Sequence, residues 1–521
     1  MLDFPPEQTR FGEAGILAGT LGVGGNWDGR VSRKAFLGAG GLGAAALLFG
    51  AGEAHGQQSG RAGYGPTRSD PRGMLDLPEG FRYRVISREG SRLSDGTPVP
   101  GDHDGMAAFR GEGDTTVLVR NHELRTADAN PLEGKNPYDS TQVGGTTAIV
   151  VGSDRRVIRS YVTSSGSVNN CAGGGTPWGT WLTCEEDRTT TGEQEHGYVF
   201  EVNPRDPENE LSRTPIRAMG RFSHEAVDID PRTGIAYLTE DDFEGLIDDD
   251  DPNADTRRSY LYRFLPNNRR ARPGALQQGG TLQVAKLDEA PRDADFIEQG
   301  QRFTMRWIPV NPETPRDDAL ANDATRFNRL EGAFFKGGAF WFDDTSGGER
   351  RLGQIFRYLP STNTIELYYE GTDQNRLQSP DNITVTPWGD LWVAEDGDFG
   401  NRIVGFTPEG RSYVFAHNRV PLQSSPGVPA GDPGERSEFA GPTFSPDGRT
   451  FFVNIQSPGI TYAIWGPFKS PNAGRQRQMA VADPPKKLRP QISGELSEAA
   501  ARYGMSDLEA AAYDRLSIPL T

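Results

Sequence analysis

His224-Glu225-Ala226-Val227-Asp228-Ile229-Asp230-Pro231-Arg232-Thr233-Gly234-Ile235-Ala236-Tyr237-Leu238-Thr239-Glu240-Asp241-Asp242 holds a polar start, an apolar strand, a Thr-Gly turn, a second apolar strand and an acidic end. Apolar runs of this length on either side of a turn glycine predict an antiparallel hairpin. The same plan recurs five more times: from Asp104-Gly105-Met106 to Asn121-His122-Glu123, from Asn170-Cys171 to Cys184-Glu185-Glu186, from Leu330-Glu331-Gly332 to Asp343-Asp344-Thr345, from Pro380-Asp381-Asn382 to Glu395-Asp396, and from Phe439-Ala440-Gly441 to Asn454-Ile455-Gln456. Further strands follow several of these hairpins, as in Gly197–Val202, Ser259–Phe264 and Gln354–Tyr358, so each unit is a small sheet. Self-similarity at roughly 50–70 residues predicts an all-β propeller of six blades. In that architecture the innermost strands line one channel, and equivalent repeat positions become neighbours in space. A stretch from Leu496 to Leu516, with Ala and Leu at helical spacing and Ser497 as a cap, predicts a short C-terminal helix.

Composition agrees. The 521 residues include 65 Gly and 38 Pro, as many short strands and tight turns require. A formal net charge of -17 disfavours nucleic acid or an anionic membrane as a partner and favours cations. Two cysteines, Cys171 and Cys184, do not make a disulfide-stapled scaffold; a disulfide between them, a metal thiolate and two buried thiols all remain open.

The chain divides into an export signal over 1–56, a Gly/Ser/Arg linker over 57–77 and a propeller domain over 78–521. Ser32-Arg33-Lys34-Ala35-Phe36-Leu37, then a Gly/Ala-rich apolar run and small residues near Ala54, is the order of a secretory signal and resembles a twin-arginine signal with Lys34 as the second basic residue. The apolar run is Gly-rich and shorter than the roughly 20 residues of a membrane span. A periplasmic or secreted protein without a stable span follows.

Three carboxylates, Glu225, Glu331 and Asp381, stand at the strand starts, and Cys171 holds the corresponding place in its own unit. Carboxylates gathered in one channel raise one another's pKa unless a cation compensates them. Oxygen-rich sites suit Ca²⁺, and a thiolate among the oxygens shifts preference toward iron or zinc. Arg329 and Glu331, two apart on a strand, are expected to leave the same face.

The runs Asn169–Gly174, Thr176–Glu186, Arg221–Glu225, Pro380–Asn382, Asp104–Met106, Asn121–Glu123 and Asn454–Gly459 resemble those of the PhoX-type alkaline phosphatases. That resemblance, over about 78–468, implies a propeller phosphatase with iron and calcium in its channel, the iron held partly by Cys171. It implies metal-binding carboxylates at Glu225, Glu331 and Asp381, with Glu185 or Glu186 and Asp241, and an arginine on the substrate phosphate at Arg329. The expected substrate is a phosphate monoester. A calcium-dependent propeller lactonase or esterase would use a similar channel without the Cys171 block or Arg329, and a non-catalytic binding propeller would share only the fold.

Overall fold

The computed structural model describes residues 62–125, 130–190, 192–242, 259–397, 400–422 and 436–469. The export signal at 1–56, the Asp-rich stretch at 248–251 and the helix expected at 496–516 lie outside the described residues.

Each hairpin read from the sequence forms the inner part of an antiparallel blade. The innermost strands are His103–Arg110, Asn170–Gly175, His224–Ile229, Leu330–Lys336, Pro380–Val385 and Phe439–Phe444, for blades 1 to 6. Each packs against the inner strand of the next blade, and that of blade 6 packs against that of blade 1, which closes the ring. Turn chemistry sets the hairpins: at Gly337 and Gly338, φ values of 62° and 79° match a two-residue turn needing left-handed backbone at both positions. Outward from the channel, blade 1 has four strands, blade 2 three and blade 4 four. Blade 3 carries a fifth, Arg302–Pro309, which pairs with the outermost strand of blade 4, Thr364–Glu370, and fuses the two into one sheet. The hydrophobic core lies between neighbouring blades, for example where Tyr237 and Leu261 of blade 3 meet Phe340, Phe342 and Phe356 of blade 4.

The last blade is closed by the beginning of the described chain, since Arg82–Arg88 pairs with Ile460–Trp465. Fastening the first and last segments in one sheet removes two free edges at once. The linker expected over 57–77 is corrected in its second half. Thr67–Arg68 and Leu75–Pro78 form strands on the outer edge of blade 5, and Leu75 and Leu77 are buried against a cluster that includes Trp392 and Phe415. Apolar residues at i and i+2 in a Gly-rich setting read as linker only while their sheet partner, some 340 residues away at 417–418, is out of view. One short helix, Pro315–Ala321, was not expected; it sits between the last strand of blade 3 and the first of blade 4.

Candidate metal centre

Register within the inner hairpins positions the site. In blades 1 to 5 the pairs His103 with His122, Asn170 with Glu185, His224 with Glu240, Leu330 with Asp344 and Pro380 with Glu395 are each followed by a register shift of the inner strand. A bulge of this kind adds residues on one strand and turns a side chain off the sheet plane. Its first residue is Asp104, Cys171, Glu225, Glu331 or Asp381, and in blade 6 the equivalent place holds Ala440. The second residue is small in most blades: Gly105, Ala172, Ala226, Gly332, and Gly441 in blade 6. Space demands this. A Cβ on Gly105 would lie 2.6 Å from the Ala172 Cα, and one on Gly332 would lie 2.2 Å from the Asp381 carbonyl oxygen.

A second ring of residues comes from the far end of each hairpin. The N–H groups of Glu123, Glu186, Asp241, Thr345, Asp396 and Gln456 donate to the carbonyls of Asp102, Asn169, Ser223, Arg329, Ser379 and Glu438, at 3.0, 3.0, 3.2, 2.9, 2.9 and 3.4 Å. Asp102, Asn169, Arg329 and Ser379 hold left-handed backbone, with φ of 41°, 47°, 70° and 38°. Such conformations persist in non-glycine residues only where surrounding structure enforces them.

In blades 2, 4 and 5 a carboxylate one residue earlier on the second strand, hence on the opposite face, holds the turn, and in blade 1 His122 takes that place with its Nδ1 2.7 Å from the Gly101 carbonyl. Glu185 accepts from the Val168 N–H at 3.1 Å, Asp344 from the Asn328 N–H at 2.9 Å, and Glu395 from the Gln378 N–H at 2.9 Å. Glu185 also accepts from the N–H groups of Gly197 (2.9 Å) and Tyr198 (3.2 Å), and its other oxygen lies 2.7 Å from His196 Nδ1. Of the alternatives Glu185 and Glu186, only Glu186 joins the channel cluster; Glu185 belongs to the supporting face.

The channel residues form an arc. Asp104, Glu123 and Cys171 can each offer an atom within 4.8 Å of the others; so can Cys171, Glu186 and Glu225, and so can Glu186, Glu225, Asp241 and Glu331. Cys171 Sγ stands 3.3 Å from Glu225 Oε1 and 3.7 Å from Asp104 Oδ2, so the sulfur is shared between two donor sets. Asp381 does not join this arc. It is grouped with Asp396 and Glu438, between blades 5 and 6. Burial and the neighbouring Asp381 carboxylate push the Asp343 carboxyl well above its ordinary range.

Arg329 brings a cation to the arc, donating from Nε and Nη2 to the two Asp241 oxygens at 3.1 and 2.8 Å and from Nη2 to Glu331 Oε1 at 2.5 Å. It reaches Glu331 in a different way from that expected: it precedes the strand in a left-handed turn instead of lying on a shared strand face. One guanidinium against this many carboxylates leaves a surplus of negative charge that protonation or further cations must offset. The donor set, one thiol and otherwise carboxylates, therefore fits metal ions.

Cys184 and Cys171 are not joined by a disulfide, and Cys184 packs with Leu182, Val199 and Phe222. Burial raises its pKa well above the usual thiol value, which keeps it protonated. Burial also pushes His224 down to about 3; its Nε2 lies 3.0 Å from the Gly220 carbonyl, an anchor beside Glu225. The residues that sequence reasoning left out are Asp104, Glu123, Asp396 and Glu438. The first three were visible as ends of the repeat; Glu438 stands one residue ahead of the repeat as it was bounded.

Residues 62–459 match the family model described as alkaline phosphatase PhoX. Among solved structures, PhoX of Pseudomonas fluorescens in complex with vanadate, a transition state analogue, is similar at 19% identity and a TM-score of 0.56, over 76% of this chain and 96% of that one. A gluconolactonase of Xanthomonas campestris is similar at 12% identity and a TM-score of 0.40, over 78% and 99%, and regucalcin, a calcium-binding protein of Agrobacterium tumefaciens, at 12% and 0.37, over 74% and 97%. No curated protein matches the chain.

Proposed function

The chain belongs to the PhoX family of alkaline phosphatases, metal-dependent hydrolases of phosphate monoesters, and from that premise we propose that hydrolysis takes place at the arc running from Asp104 to Glu331. The observation that carries this reading is the arc itself: one thiol, six buried or half-buried carboxylates and one guanidinium, drawn from blades 1 to 4. Cys171, with Asp104, Glu123, Glu186 and Glu225 around it, would hold iron. The oxygen donors Glu186, Glu225, Asp241 and Glu331 would hold calcium, as would the separate group of Asp381, Asp396 and Glu438. Bound cations supply positive charge that offsets the build-up on the entering and leaving oxygens of an in-line displacement.

Arg329 serves the substrate. Its planar fork, charged at any working pH, suits phosphate oxygens, and Asp241 and Glu331 aim it. The supporting carboxylates Glu185, Asp344 and Glu395 hold the turns from which the inner strands start, so the ring is assembled before substrate arrives. Among the described residues no helix is long and apolar enough to cross a membrane. The signal-like order at 32–56 supports export and action outside the cytoplasm, by a twin-arginine-like route.

Metal analysis of the purified protein, alongside kinetics on p-nitrophenyl phosphate, tests the reading. Iron with calcium is expected, and Glu331→Gln is expected to lose metal and to regain part of its activity when metal is added. Calcium alone with lactone hydrolysis, or full phosphatase activity in metal-free protein, would overturn it.

A further inference from the structure

Three consecutive acids close the second strand of blade 3: Glu240, Asp241 and Asp242. Successive side chains of an extended segment leave opposite faces, so Asp241 points into the channel while its neighbours point behind it. Arg316 meets them there. Its Nη1 donates to Glu240 Oε1 at 2.7 Å and its Nη2 pairs with Asp242, so one guanidinium spans both flanks of Asp241. Further contacts hold the clamp: Glu240 Oε2 accepts from the Tyr260 N–H at 3.0 Å, and the Asp241 N–H donates to Ser223 O at 3.2 Å.

Arg316 sits on the helix Pro315–Ala321, outside the repeat. The helix is fixed to blade 3, because its Ala319 is buried in one cluster with Leu238 and Tyr262, as is Ala324 just beyond its end. The direction of the Asp241 carboxylate thus depends on an inserted helix as well as on its own strand. Asp241 in turn holds the Nε and Nη2 of Arg329 in a two-point contact, which fixes the plane of the guanidinium.

We propose that Arg316 is a positioning residue for phosphate binding: by clamping Glu240 and Asp242 it sets Asp241, and through Asp241 the plane of Arg329. This rests on the reading of Arg329 as the phosphate contact. Charge alone would not suffice, since a lysine ammonium has no fork to span two carboxylates on either side of a third residue.

The test uses the metal-loaded protein and inorganic phosphate, bound in calorimetry, with metal content and melting temperature measured on the same samples. Arg329→Ala serves as the reference, and about a tenfold or greater rise in phosphate Kd is expected for it. Arg316→Lys should raise the Kd about three- to tenfold, with KM for p-nitrophenyl phosphate rising in parallel, and with metal content as in the parent. Because Arg316→Gln alone would leave the buried Glu240 without its ion-pair partner and Asp242 with only Arg188, at 3.8 Å, it is paired with Glu240→Gln, and this double variant should bind phosphate at least as weakly as Arg316→Lys. Should the double variant not fold, Arg316→Lys decides.

Folded Arg316 variants with parental metal content and a phosphate Kd within about twofold of the parent, beside a weakened Arg329→Ala, would overturn the role of Arg316 alone. Loss of metal in Arg316→Lys would overturn it too, by assigning Arg316 to metal retention. Parental phosphate binding by Arg329→Ala would instead remove the premise.

Discussion

Glu185 and Glu186 are adjacent, both buried, and expected to respond to the same substitution in opposite ways. The Glu185 carboxylate is surrounded by donors, with Val168 N–H and His196 Nδ1 at one oxygen and the N–H groups of Gly197 and Tyr198 at the other. In Glu185→Gln an NH₂ replaces one oxygen. The less costly orientation faces it toward His196, which can accept if its proton moves to the other nitrogen, but the Val168 N–H is then orphaned and the remaining bonds lose their charge. One lost bond to a charged acceptor and the weakening of two others amount to about 2–4 kcal/mol. At roughly 2 cal/mol/K per residue over the roughly 370 described residues, melting should fall by about 3–5 °C. Glu186 meets Asn169 Nδ2 at 3.2 Å and otherwise faces the acids of the arc. Glu186→Gln removes one of several crowded negative charges, so after chelator treatment it should melt at or above the parent, while the untreated variant should hold less metal. Differential scanning fluorimetry with and without chelator, together with elemental analysis, reads both effects. If Glu185→Gln loses metal at an unchanged melting temperature while Glu186→Gln keeps its metal, the face assignment is wrong.

Two further outcomes are expected. Cys171→Ser should lower bound iron and phosphatase activity together, whereas Cys184→Ser should leave both near the parent; a Cys171 to Cys184 cross-link in peptide maps of active protein would contradict the two unbridged cysteines of the structure. His224, held neutral by burial with its pKa near 3, takes up a proton only on unfolding as pH falls below about 6.5. Its folded pKa is depressed, so the parent loses stability relative to His224→Asn by about 1.4 kcal/mol per pH unit from pH 6 to 4, and urea midpoints for the pair that stay parallel over that range would refute the assignment.

What the sequence shows plainly is whatever repeats. Six hairpins with polar ends share one pattern, and the channel placement of Cys171, Glu225 and Glu331 follows from their equivalent positions in it. The bulge is what defeats finer counting. Strand alternation assigns faces by parity, but an extra residue in each inner strand breaks parity where the candidate ligands stand, so Glu185 and Glu186 could not be separated until the register of Asn170 against Glu185 was known. Non-local pairing sets a second limit. Leu75 and Leu77 look like linker residues because their partners lie at the other end of the propeller, and Arg316 carries no motif at all. One rule recovers much of the loss: the residue after the second strand hydrogen-bonds to the carbonyl just before the first, in all six blades. Counting from that bond, the outer ring reads Glu123, Glu186, Asp241, Thr345, Asp396 and Gln456, which turns acidic to neutral at blades 4 and 6. There the carboxylates come from elsewhere, Glu331 in the first case and Glu438 in the second, and Asp381 is grouped with Asp396 and Glu438 across blades 5 and 6 instead of joining the arc that ends at Glu331.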